Sequence, residues 1–137
     1  MLIQKKIIQA LFIFLMITMA TTSFPESVSA QNKDQVIRLA RLVIDSSQLE
    51  AYKAALKEGI EAAISKEPGV LTLYAVYEKE HPTHVTVFEI YANLEAYQTH
   101  IQTAHFKKYK STTLSMVKSL ELLDMAPIGL GAKSFGH

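Results

Sequence analysis

The chain has 137 residues, a formal net charge of +1, no cysteine and no tryptophan. A balance of 14 basic against 13 acidic residues excludes a broad basic face for nucleic acid or anionic lipid. Without cysteine there is no disulfide, no lipid-modified cysteine and no thiol chemistry.

Residues 1–30 read as an export signal. Lys5 and Lys6 charge its start, and Ile7 to Ala20 is uncharged and rich in Ile, Leu, Phe and Met. Val28-Ser29-Ala30 offers the small residues that signal peptidase requires, so cleavage is expected after Ala30 and a periplasmic or secreted location follows. The apolar run is shorter than the roughly 20 residues of a membrane span. An uncleaved anchor is the competing reading. Removing Lys5, Lys6 and Glu26 with the signal leaves acidic and basic residues equal in number. Residues 31–137 then form one small domain, with its core at about 35–127 and a flexible tail. Such a domain buries a limited core and gains from association.

Val36 to Asp45 is the first strand, with Arg38 and Arg41 on opposite faces. Ser47 with Glu50 forms a capping box, and Leu49, Tyr52, Leu56, Ile60, Ala63 and Ile64 recur at helical spacing. Gly59 lies inside this helix and marks either a close approach or nothing. Glu67-Pro68-Gly69 ends the helix. Val70 to Glu80 is the second strand, His81-Pro82-Thr83 a hairpin turn, and His84 to Ala92 the third strand. Asn93 caps a short helix from Leu94 to about Gln102, and Thr103 caps another from Ala104 to about Met116. Val117 to Met125 is the last strand. A Gly-rich tail follows Ala126-Pro127.

The order is β-α-β-β-α(α)-β, the split βαβ of a ferredoxin-like α+β fold. Its helices cover one face of an antiparallel sheet. The strands are apolar on both faces, so the open face is expected to meet a second copy in a homodimeric α+β barrel.

Polar residues at guarded positions are the candidates for chemistry. Glu89 sits among Val87, Phe88, Ile90 and Tyr91, where a carboxylate needs a partner. Either it orients a histidine or binds a polar substrate group, or it pairs with Arg38 or Arg41. His100 falls at the edge of an apolar arc and faces a pocket or a rim. His105 stands in the first turn of its helix, whose positive end disfavours an imidazolium and leaves a ring able to accept a proton. Its ring could instead simply cover the helix start. His100 and His105 are not the helical i, i+4 ligand pair, and no second acid is near in sequence, so no metal is expected. No Gly-rich phosphate loop, nucleophile elbow or dinucleotide fingerprint occurs. Tyr74, Tyr77, Phe88, Tyr91, Tyr97 and Phe106 could pack a core or line a cavity for a flat hydrophobic ligand.

Glu67-Pro68-Gly69, Tyr74, Glu89 followed by Tyr91, and His100 with Thr103-Ala104-His105-Phe106 resemble the antibiotic biosynthesis monooxygenase (ABM) family, in particular its quinol monooxygenase branch. The resemblance spans essentially all of residues 31–127. It implies a dimeric α+β barrel and a cofactor-independent monooxygenase. A base removes a proton from a quinol or polyphenol, and the anion reacts with O2. Carried over by position, His105, His100 and Glu89 are the catalytic candidates, with His105 as base and Glu89 orienting it. Tyr74, Tyr91 and Phe106 form the substrate wall. No metal and no cofactor is implied. Related haem-degrading enzymes use a tryptophan that this chain lacks. Autoinducer-processing isomerases share the Glu-Pro-Gly and histidine pieces. The reading from another class is a dimeric small-molecule-binding or stress module without turnover.

Overall fold

The structure, a computed structural model, describes residues 33–133, so the export signal of residues 1–30 lies outside the described residues. Strand β1 is Val36–Ile44, followed by a 3₁₀ turn at Ser46–Gln48 and helix α1 at Leu49–Lys66. The hairpin β2 (Val70–Tyr77) and β3 (His84–Tyr91) comes next. Helices α2 (Leu94–His100) and α3 (Ala104–Thr113) precede β4 (Val117–Met125). All pairings are antiparallel and the strand order is β2-β3-β1-β4. This is the ferredoxin-like α+β plan expected from the element order.

Register decides which residues meet the helices. Arg38 pairs with Glu89, Ala40 with Val87 and Leu42 with Val85. Ala40 and Leu42 also pair with Leu122 and Leu120 of β4. Side chains alternate along a strand, so these residues share the helix-covered face, and Ile37, Leu39 and Phe88 share the other. On the covered face two clusters are fully packed. One gathers Ala40, Leu42, Ile44, Val85 and Val87 around Tyr52 of α1. The other gathers Ala63, Val70, Leu73 and Tyr91.

Local signals explain most boundaries. Asn93 Oδ1 accepts from the backbone N–H of Ala96 at 2.8 Å, and Thr103 Oγ1 from that of Phe106 at 3.2 Å, as both caps require. The capping box of Ser47 and Glu50 does not form. Asp45 starts the turn instead, accepting from the backbone N–H and hydroxyl of Ser47 at 2.9 and 2.6 Å, while Glu50 pairs with Lys53 at 3.0 Å. The inserted 3₁₀ turn moves Ser47 off the helix cap. β2 ends at Tyr77 rather than Glu80, and α3 at Thr113 rather than Met116. Among the described residues, no helix is long and apolar enough to cross a membrane.

Candidate active site

The site is assembled by a turn, a helix end and a helix start. Pro68 disfavours helical backbone at the residue before it, so Glu67 leaves α1 in an extended conformation (φ −114, ψ 102). The backbone N–H of Val70 then donates to the Glu67 carbonyl at 3.1 Å, and that of Ala92 to the Gly69 carbonyl at 2.9 Å, fixing the turn against the end of β3. Gly69 is required by proximity rather than by a left-handed backbone. A Cβ built there would lie 2.5 Å from Cβ of Ala96 on α2. The turn thus docks on α2 and brings the Glu67 carboxylate to the residue that ends it, His100.

Thr103 joins the two histidine-bearing helices. Its hydroxyl donates to the His100 carbonyl at 2.8 Å and accepts from the first turn of α3, where His105 stands. Both rings converge on one oxygen. Glu67 Oε1 lies 2.9 Å from His100 Nδ1 and 2.5 Å from His105 Nε2. The Glu67 side chain is only 10% exposed, so two charge-assisted hydrogen bonds supply the partners that a buried carboxylate needs. An ionised carboxylate only accepts, so each ring directs an N–H at it. The lone pairs are left on Nε2 of His100 and Nδ1 of His105. Phe106 packs edge-on to His100 with ring centroids 4.9 Å apart, and Tyr91 lies at 5.3 Å.

These rings border a cavity of about 120 Å³ between the sheet and the helices. Glu89, Tyr91, His100, His105 and Phe106 all line it, together with Arg38, Tyr97 and Tyr109. It fills the space between the two packed clusters, where Gly59 of α1 leaves room. The Tyr91 hydroxyl donates to Glu89 Oε2 at 2.9 Å. Burial pushes the Glu89 carboxyl above the usual carboxylate range, while the Tyr91 hydroxyl, His100 and Arg38 draw it back. Burial likewise raises the Tyr91 and Tyr109 hydroxyls. Arg38 lies opposite Glu89 in register but pairs with Asp124, its Nε 3.2 Å from Oδ1, and an Nη donates to the Tyr97 hydroxyl.

Three expectations change. Glu67, not Glu89, holds the histidines; Glu89 is engaged with Tyr91. Tyr74 does not join the cavity: it is 59% exposed and pairs with Phe88 on the other sheet face. No second acid is near His100 and His105 in sequence, but the fold brings Glu67 to them and places three possible ligand atoms within 4.8 Å of one another. In the sequence Glu67 carries a helix-stop signal and, with Pro68 and Gly69, one piece of the family resemblance, but neither gives it a role beside the histidines. Its partner His100 is 33 residues away, a distance that the fold alone closes.

The sequence profile of the family described as antibiotic biosynthesis monooxygenase matches residues 35–112. An inferred antibiotic biosynthesis monooxygenase from Bacteroides thetaiotaomicron VPI-5482 shares 56% identity, with 73% of this chain and 95% of that one covered, at a TM-score of 0.71. An inferred monooxygenase from Lactobacillus acidophilus NCFM shares 29% identity at a TM-score of 0.67, with 68% of this chain and 44% of that one covered. At 19% identity, a Nitrosomonas europaea protein shares the fold at a TM-score of 0.65, with 69% and 91% covered. None of the curated proteins matches the chain.

Proposed function

Since the chain belongs to the antibiotic biosynthesis monooxygenase family, we propose that its cavity deprotonates a small quinol and lets the anion react with O2 without a cofactor. The carrying observation is the Glu67–histidine cluster at an aromatic cavity. Glu67 fixes the tautomer and orientation of each imidazole, so a ring nitrogen with a free lone pair is available as base. His105 Nδ1 takes the phenolic proton, and the imidazolium so formed is stabilised by the Glu67 carboxylate behind it. Arg38 in the cavity wall supplies positive charge near the developing phenolate.

The chemistry balances without an external reductant. The quinol anion gives one electron to O2, and the semiquinone and superoxide combine through a new C–O bond. Loss of water leaves a hydroxyquinone, so one quinol and one O2 yield one hydroxyquinone and one water. A cavity of about 120 Å³ favours a single ring, because an engineered cavity of about 150 Å³ takes a benzene. Tyr91, Tyr97 and Phe106 provide faces and edges for that ring. The open sheet face, with Tyr74 and Val76 exposed, supports a homodimer. The N-terminal pattern supports export, which the intact mass of secreted protein tests. Oxygen uptake by metal-free protein with a monocyclic hydroquinone tests the activity. Turnover that survives in His105→Ala would overturn the assignment of the base. Saturable binding without oxygen uptake by the native chain would leave a binding module.

A further inference from the structure

We propose that Glu67, His100 and His105 also form a binding site for a borderline divalent cation of the zinc class, whose occupancy switches the base off. Two imidazole nitrogens and a carboxylate oxygen converge within 4.8 Å. Zinc bonds of about 2.0–2.1 Å put tetrahedral ligand atoms about 3.4 Å apart, so the oxygen and the two nitrogens, now 2.5 and 2.9 Å apart, need to separate by under about 1 Å. Small side-chain rotations open the space. Imidazole with carboxylate selects zinc, nickel or copper over magnesium and calcium, which prefer oxygen alone. The ligands are shielded: their side chains are 8–17% exposed, and Phe106 and Tyr91 pack on His100.

Cation binding and base function exclude each other at the level of the proton. To ligate, His105 must present the lone pair of Nε2, so its proton moves to Nδ1. That is the nitrogen assigned to accept the substrate proton. His100 undergoes the converse change, from Nδ1–H to Nε2–H. Cation binding uses the residues of the proposed base but not its reaction and stands without it, whereas the switching rests on that proposed function. The second convergence of ligands, Glu78 with His81 and His84, is an exposed hairpin pair at 3.3 and 3.5 Å from one carboxylate oxygen. It lies outside the cavity and is removed in the test so that only the buried site is read.

The test uses the full chain carrying His81→Ala and His84→Ala, stripped with EDTA and titrated calorimetrically with Zn2+. One equivalent is expected to bind. Adding Glu67→Gln or His105→Ala should weaken that binding at least tenfold, with far-UV circular dichroism confirming the fold. Co2+ should give the intense visible absorption of a four-coordinate site, abolished in the same variants. Hydroquinone-dependent oxygen uptake should fall with Zn2+ and return with EDTA. Absence of Zn2+ binding, or binding that both variants leave intact, overturns the site. Zn2+ binding without turnover by the metal-free protein overturns the proposed oxygenation and leaves the site standing.

Discussion

One oxygen of Glu67 serves two imidazoles, so this residue bears on the cavity through them without lining it. Glu67→Gln keeps the shape but presents an amide that cannot accept from both rings on equal terms and can reverse a tautomer. Oxygen uptake with hydroquinone is expected to drop roughly 10²–10⁴-fold, the range for a lost base or a misdirected tautomer. Glu89 should behave differently. Desolvation raises its carboxyl in the fold, so the folded chain binds this proton more tightly than the unfolded chain does. Stability therefore falls as pH rises from the ordinary carboxylate range through the raised folded value. Glu89→Gln removes that cost while its amide oxygen can still accept from Tyr91. The variant should melt higher than the native chain at pH 8 and lose that advantage at pH 4, as read by thermal unfolding. An equal shift at both pH values would sink the argument. The resemblance puts Tyr74 in the substrate wall, and one extra residue of backbone turns it away. Counting from Val70 puts it on the same face as Val70, but β2 slips register between Val70 and Thr72. The extra residue turns Leu73 toward the helices and Tyr74 away.

At the scale of elements, most of the plan was legible because its signals are local. Asn93 and Thr103 announce two helix starts by their own side chains, and the His81–Thr83 turn announces a hairpin. The Glu67 site was not legible, because it depends on the Glu-Pro-Gly turn meeting α2 across the fold. The two glycines in and after α1 make that distinction testable. Gly59→Ala would bring a Cβ to 3.6 Å from the Tyr109 side chain, an ordinary contact. Relief of glycine's helix penalty should then stabilise by about 0.5–1 kcal/mol. Gly69→Ala would place its Cβ 2.5 Å from Ala96, so α2 or the turn must shift. The expected cost is about 1–3 kcal/mol, as for other overpacked sites. Urea denaturation measures both. Turnover should fall with Gly69→Ala beyond what its stability loss explains, because the same shift carries Glu67 away from His100.

At the scale of the molecule, the sheet has one face under helices and one without, and the cavity belongs to the covered face. The opposite face of β2 leaves Tyr74 and Val76 59% and 63% exposed, and Leu39 and Phe88 beside them are half-buried. Two copies placed face to face would bury such a surface, as the proposed homodimer requires. Tyr74→Lys with Val76→Lys should separate the copies, because a twofold contact would then gather four like charges. Both side chains are already more than half exposed in one chain, so folding should be little affected. Sedimentation velocity is expected to give a two-chain mass for residues 31–137 and a one-chain mass for the double variant, with unchanged circular dichroism. A native chain that sediments as a single copy would remove the dimer. The activity of the separated variant carries the finer test. Glu67, His100, His105 and the cavity wall all come from one chain, so turnover per chain should survive separation. Loss of turnover in a folded monomer would mean that the second copy holds the cavity closed through the sheet, since none of the residues assigned to the chemistry lies on the mutated face.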